Sequence, residues 1–92
     1  MRLLITASFA KATKKLHTPQ KVELDAALKL ISKDPFMGEA KVGDLVGVYV
    51  YKFRLSEQQV LLAYRILDQE SIKLLTLGSH ENFYRDLKRQ GK

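Results

Sequence analysis

Between Val46 and Gly78 the sequence contains three strand-type segments separated by only two short polar stretches. The first segment, Val46 to Arg54, is rich in β-branched and aromatic residues, and two further apolar segments run from Gln59 to Leu67 and from Ile72 to Gly78. Short polar connections join antiparallel neighbours, whereas parallel strands need a crossover of about a dozen residues or more. The second half of the chain is therefore predicted to form three consecutive antiparallel strands.

The first half predicts one strand followed by two helices. The short apolar stretch Arg2–Thr6 is typical of a strand, and apolar residues then recur at helical spacing on either side of Pro19 until Asp34-Pro35 ends the pattern. We expect the two helices to form an antiparallel hairpin. The turn-rich segment from Phe36 to Leu45 predicts an exposed loop, and spaced apolar residues between His80 and Arg89 predict a last, short helix.

The resulting fold class is α+β, with the order β-α-α-β-β-β-α and an antiparallel sheet packed by the helical hairpin. At 92 residues the whole chain, 1–92, is expected to be one domain. Alternation along the first of the three strands assigns its side chains to two faces. One face carries Val48, Val50, Lys52 and Arg54, and the other carries Tyr49, Tyr51 and Phe53.

Composition limits the chemistry that this domain can perform. Without cysteine, disulfides, thiolate nucleophiles and Cys-based metal sites are excluded, and two histidines do not build a His-rich metal centre. We therefore expect no metal, no cofactor and a reducing, cytoplasmic location, with no membrane segment. Sixteen Lys and Arg against ten Asp and Glu give a net charge of +6, which favours a polyanion or an acidic protein as partner.

Six side chains could converge beside the predicted sheet. Lys52, Arg54 and Arg65 lie on neighbouring strands, and the other three, which follow the last strand, are His80, Tyr84 and Arg85. Taken singly, a residue of this kind more often has an ordinary surface or core role, and only for His80 are the two interpretations evenly balanced. Together the six side chains suit metal-free RNA cleavage, in which the 2′-hydroxyl attacks the adjacent phosphate and the protein supplies proton transfer and positive charge.

The sequence as a whole resembles the RelE/ParE superfamily of toxins from bacterial type II toxin–antitoxin modules. Three segments carry the resemblance: Asp44–Arg54, with a leucine-x-glycine before a basic strand; Val60–Arg65, an apolar strand ending in tyrosine; and Leu77–Tyr84. The last contains Gly78-Ser79-His80 followed by an aromatic residue, and it is similar to the C-terminal segment of the YafQ and HigB branches. These branches cut messenger RNA on the ribosome and are neutralised by an antitoxin.

The resemblance implies roles for the candidate residues. His80 would transfer protons, Tyr84 would hold the nucleotide, and Lys52 and Arg54 would bind phosphate. Arg65 would supply a replacement cation, and Arg85 is a further substrate-binding candidate. The chain departs from the RelE pattern at two positions where a cation is expected, because it has Leu61 and Val50 there.

The resemblance leaves three functions open. The first is an mRNA interferase, which would bind mRNA and the ribosome; the second is a ParE-like inhibitor of DNA gyrase; the third is an inactive relic that still binds an antitoxin. In each case the expected partner is an acidic antitoxin. The candidate contact residues for it are three lysines of the first helix, Lys11, Lys14 and Lys15.

Overall fold

The computed structural model describes residues 1–79, 83–85 and 87 of the chain. Its elements follow in the order β1 (Arg2–Ile5), α1 (Ala7–Lys14), α2 (Thr18–Lys33), β2 (Glu39–Ala40), β3 (Val48–Leu55), β4 (Gln58–Asp68) and β5 (Ser71–Gly78). Residues 83–85 and 87 are helical. The predicted order of elements is confirmed, with the two-residue strand β2 added. Among the described residues no helix combines the length and the apolar character needed to cross a bilayer.

The strands form one five-stranded sheet in the order β1-β5-β4-β3-β2. The antiparallel pairing of β3 with β4 and of β4 with β5 is confirmed. β1 adds to the free edge of β5 in parallel, with Arg2 opposite Ser71 and Ile5 opposite Leu74. This parallel pair is possible because the helices and the other strands separate β1 from β5 in sequence. The sheet is therefore mixed at one edge and antiparallel elsewhere.

The sequence predicted a loop from Phe36 to Leu45, but part of this segment forms a strand. Glu39 and Ala40 pair antiparallel with β3, and the Lys41 N–H donates to the carbonyl of Val48 at 2.9 Å. The outer edge of β3 offers backbone groups that need hydrogen-bond partners, and this segment supplies them. A strand of two residues is too short to leave a periodic signal in the sequence.

The two faces of the sheet have separate apolar cores. Both helices cover the first face, where Phe9 of α1 and Ile31 of α2 pack against Tyr64, Leu62 and other sheet residues. The second face carries a smaller core formed by Leu45, Val48, Val50, Leu61, Ala63, Leu75, Phe83 and Leu87. Val48 and Val50 therefore lie on the face opposite to Tyr49, Tyr51 and Phe53, which confirms the faces predicted for β3.

The pairing of β4 with β5 contains an irregularity. Tyr64 lies opposite Leu74, but the preceding residue, Ala63, lies opposite Thr76. Leu75 is thus an extra residue in β5, which is the arrangement of a β-bulge. After the bulge, Leu77 packs in the core under the helices, and Gly78 lies opposite Leu61.

Tyr64 connects the sheet to the turn that follows α2. Its ring is fully buried and stacks on Tyr49 with 5.8 Å between the ring centroids. Its hydroxyl donates to the carbonyl oxygen of Pro35 at 2.7 Å and accepts from the Gly38 N–H at 3.1 Å. A Cβ atom on Gly38 would lie 2.5 Å from this hydroxyl oxygen, so the close contact requires glycine. The tyrosine that ends the apolar strand motif therefore has a structural role.

The protein is expected to lose stability at alkaline pH through Tyr64. Burial raises the pKa of this hydroxyl above its ordinary value of 10.0. The unfolded chain then releases the proton before the folded one, so stability falls as the pH rises from about 10 through the folded pKa, by at most about 1.4 kcal/mol per pH unit. Denaturant unfolding of the parent and of Tyr64→Phe between pH 8 and 11 measures this. An equally steep alkaline decline in both proteins would contradict the assignment.

Candidate functional site

Lys52 and Arg54 form an exposed cationic pair on the second face of the sheet. They occupy alternate positions of β3, beyond the two buried valines, and both are exposed. Within the described part of the chain neither has a carboxylate within ion-pair distance, in contrast to Lys29 and Lys41. Two positive side chains with uncompensated charge about 7 Å apart along a strand are suited to binding adjacent phosphates of a nucleic acid.

The sheet register brings this pair near the end of β5. Lys52 lies opposite Leu61 on β4, and Leu61 lies opposite Gly78 on β5. Since neighbouring strands are about 4.8 Å apart, the backbone of Lys52 and that of Gly78 are separated by roughly 10 Å. The chain therefore leaves β5 toward residues 80–92 at the same end of the sheet as Lys52. His80 lies outside the described residues, so its predicted position next to these cations stays a prediction.

Arg65 lies on the same face of the sheet as Lys52 and Arg54 but at the opposite end of the strands. It is opposite Val48, whereas Lys52 is opposite Leu61, so four residues of β4, about 13 Å, separate Arg65 from the row of Lys52. Its guanidinium donates to the Val46 carbonyl at 3.3 Å. A Cβ atom on Gly47, where φ is +91°, would approach Arg65 Nη1 to 2.7 Å. The structure thus places Arg65 against the backbone before β3 and does not bring it together with Lys52 and Arg54.

The two positions where a cation is missing are part of the second core. Val50 is 2% exposed and Leu61 is 1% exposed. Both pack with Leu45, and the cover is completed by Phe83 and Leu87 of the C-terminal segment. A charged side chain at either position would be buried in this packing at a high desolvation cost. The cations of this face are consequently restricted to its margins.

Tyr84 is half-buried at the rim of the second core, beside a cation that the sequence did not single out. Its ring meets Phe83 edge to face, with centroids 5.1 Å apart, and Lys41 Nζ lies 5.3 Å from the Tyr84 centroid. Lys41 also pairs with Glu39 at 3.4 Å. A hydrogen bond with Tyr84 raises the pKa of Lys41 above its usual value, and Glu39 acts in the same direction. The alternation of Glu39 and Lys41 after Gly38 was the only available signal for this group.

The remaining candidates are accessible. Arg85 follows Tyr84 in the helical C-terminal segment and is exposed. Lys11, Lys14 and Lys15 are exposed at the end of α1. Lys11 and Lys15 flank a shallow cleft of about 350 Å³, which they share with small residues of α1 and with Thr76 of β5. Lys14 does not line this cleft.

The strand order and the helical cover of one face are shared with solved structures of known proteins. A mutant of the Escherichia coli toxin RelE in its free state aligns with a TM-score of 0.72 and 21% sequence identity, over 96% of this chain and 95% of that one. RelE in the intact RelBE toxin–antitoxin complex aligns with a TM-score of 0.70 and 21% identity, over 87% of this chain and 96% of that one. No curated protein matches the sequence significantly.

Residues 3–88 match the family described as ParE-like toxin of type II bacterial toxin–antitoxin systems. The chain belongs to this family. The structural likeness to RelE, at this level of identity, is a likeness of fold.

Proposed function

We propose that this toxin is an mRNA interferase, a metal-free endoribonuclease that blocks translation and acts on mRNA at the ribosome. One observation carries the proposal: the exposed cations Lys52 and Arg54 have no ion-pair partner in the described chain and lie at the end of the sheet where β5 ends. A cationic pair of this kind stabilises the charge that builds on a phosphate during cleavage.

The reaction needs little more from the protein. The 2′-hydroxyl of the RNA loses its proton to a base and attacks the adjacent phosphorus. The bond to the 5′-oxygen then breaks, and that oxygen takes a proton from an acid. The products are a 2′,3′-cyclic phosphate and a 5′-hydroxyl end. In this proposal His80 transfers a proton, Tyr84 holds a base, and Arg85 adds a contact to the RNA backbone. Arg65, at the far end of the face, would contact the RNA away from the scissile phosphate.

Induced expression followed by mapping of mRNA 5′ ends tests the proposal. We expect new 5′-hydroxyl ends with the parent protein and a strong reduction with His80→Ala, since loss of a general acid or base costs about 10²- to 10⁴-fold in rate. His17→Ala is the matched control, because this histidine lies at the start of α2 and is outside the site. Intact mRNA in cells arrested by the parent protein would end the nuclease proposal.

A second candidate function is inhibition of DNA gyrase, favoured by the ParE-like description of the matching family. It predicts stalled, cleaved DNA and an SOS response while mRNA stays intact, and His80→Ala would then be harmless. Normal growth on expression, with both RNA and gyrase unaffected, would instead support an inactive, antitoxin-binding relic.

An antitoxin is the partner that the family implies. We propose that it contacts the cleft between α1 and β5 that Lys11 and Lys15 flank. Lys11→Glu with Lys15→Glu is expected to weaken binding of the cognate antitoxin roughly tenfold, because two attractive contacts become repulsive. Lys14→Glu, on the same helix but outside the cleft, is the matched control and should have a smaller effect. Calorimetric titration at two salt concentrations measures both. Equal effects of the double variant and the control would argue against the cleft as the contact.

A further inference from the structure

Lys41 differs from the other lysines in the described part of the chain. All of the others there are exposed, whereas only 20% of the Lys41 side chain is accessible. Its backbone is fixed by the hydrogen bond to Val48 that continues the pairing of β2 with β3. A long cationic side chain that is ordered and largely covered loses rotamer freedom, and the contacts it makes must offset that loss.

Two contacts hold the Lys41 ammonium group. Glu39 Oε2 lies 3.4 Å from Nζ, and the ring centroid of Tyr84 lies 5.3 Å from it. The second distance is within the range of a cation–π interaction, which is worth about 0.5–2 kcal/mol depending on solvation. Lys41 therefore connects the edge strand β2 to the C-terminal helical segment.

The charge of Lys41 is already compensated. Glu39 lies within ion-pair distance of the ammonium group, whereas Lys52 and Arg54 have no such carboxylate among the residues that the structure describes. A compensated cation attracts phosphate weakly, so phosphate binding is a poor explanation of this arrangement. Positioning of the Tyr84 ring explains the arrangement better.

Tyr84 also forms one wall of a cleft. The cleft measures about 320 Å³ and is otherwise lined by Val42, Asp44 and Leu45. Val42, Leu45 and the Tyr84 ring suit the flat face of a nucleobase, and the carboxylate of Asp44 repels phosphate. The lining therefore suits an RNA base, with its phosphate group outside the cleft, better than it suits the sugar-phosphate backbone of RNA.

We propose that Lys41 is a positioning residue that holds the Tyr84 ring as one wall of a nucleobase-binding cleft formed with Val42, Asp44 and Leu45. The inference rests on the proposed action on RNA, in which Tyr84 holds a base, and adds to it the residue that positions the ring and the residues that complete the cleft. Loss of Lys41 removes one of the contacts that hold the ring and weakens stacking, although no atom of Lys41 needs to touch the RNA.

The test measures binding without cleavage. A 2′-O-methyl oligoribonucleotide lacks the nucleophile, so its affinity for the purified toxin can be followed by fluorescence anisotropy at fixed salt. We expect Lys41→Met to raise Kd about fivefold, which is the loss of part of one stacked base, and Lys41→Arg to restore most of the affinity because arginine also stacks on rings. In a Tyr84→Leu background, Lys41→Met should cause no further loss.

Lys29→Met is the matched control. Lys29 also forms a 3.4 Å ion pair, with Asp25, but on the exposed surface of α2. The control removes the same charge, so a general electrostatic effect on RNA affinity would appear equally in both variants. An equal rise in Kd for Lys41→Met and Lys29→Met, or no recovery with Lys41→Arg, would overturn the inference.

An NMR measurement reports on the contact itself. The ε-methylene protons of Lys41 should be shifted upfield by the Tyr84 ring, and this shift should vanish in Tyr84→Leu. Absence of the shift in the parent protein would also overturn the inference. Failure of the parent to bind any RNA would remove the proposed function and the cleft together, whereas binding that is insensitive to Lys41 would remove the cleft role alone.

Discussion

Replacing Lys52 and Arg54 together by glutamine is expected to abolish RNA cleavage while leaving the protein folded. Removal of one group that stabilises developing charge typically costs a factor of about 10² to 10³ in rate, and this variant removes two. Both side chains are exposed and have no ion pair in the described chain, so their loss leaves no buried charge without a partner. The rate of cleavage of a reporter mRNA in a translation extract measures the effect.

Lys73→Gln is the matched control for this double variant. Lys73 is exposed on β5 and lies opposite Arg65, at the far end of the sheet from Lys52. Lys73→Gln lowers the net charge on the same sheet but lies outside the proposed site. We therefore expect the cleavage rate to fall less than about threefold, through the weaker general electrostatic attraction for RNA. A double variant that is as active as Lys73→Gln would refute phosphate binding by Lys52 and Arg54. Thermal unfolding of each protein excludes misfolding as the cause.

The second large effect is expected on stability. Tyr64→Phe removes the hydroxyl that donates to Pro35 and accepts from Gly38, and it leaves both backbone groups without this partner. We expect the free energy of unfolding to fall by about 1–3 kcal/mol, since unsatisfied buried groups carry their full desolvation cost. For a domain of this size the melting temperature should drop by roughly 4–8 °C for each kcal/mol.

Tyr51→Phe is the control for the loss of a phenolic hydroxyl. Tyr51 is half-buried on the same face, and its hydroxyl makes no hydrogen bond within the described part of the chain. Gly38→Ala adds a coupling test: its Cβ clashes with the Tyr64 hydroxyl, so it should be less harmful in the Tyr64→Phe background. A melting temperature of Tyr64→Phe equal to that of Tyr51→Phe would show that the hydroxyl contributes nothing to stability.

Sequence periodicity predicted the helices and strands, in which side chains recur on one face at a regular spacing. The alternation of aromatic residues with valine and cationic residues in β3 assigned Lys52 and Arg54 to the correct face, because side chains on a strand alternate with a period of two. The same reasoning could not position Arg65 relative to them. Its distance from Lys52 depends on the register of β3 against β4, and a hairpin register is set by the geometry of the turn. The positive φ angles of Ser56 and Glu57 define that turn in the structure.

Contacts between distant segments were beyond the reach of the sequence. Lys41 meets Tyr84 only because a two-residue strand pairs with β3 and the C-terminal segment crosses the second face. Val50 and Leu61 look like missing cations in the sequence, yet in the structure they form the apolar floor on which that segment packs. Neither relation has a local signature, since each depends on which elements the whole fold brings together.

The bulge at Leu75 has a consequence for the tolerance of this chain to insertions and deletions. Leu74 and Leu77 both face the helices although they are three positions apart, because Leu75 is the extra residue between them. Deleting Leu75 would remove the bulge and leave Leu74 and Leu77 two positions apart, so Leu77 would keep its face, while the second core would lose the Leu75 side chain. Loss of one residue here can thus be absorbed by loss of the bulge, whereas loss of a second would exchange the faces of the side chains that follow. The bulge therefore lets β5 lose one residue while Gly78 stays opposite Leu61 and the chain still leaves the sheet at the same place.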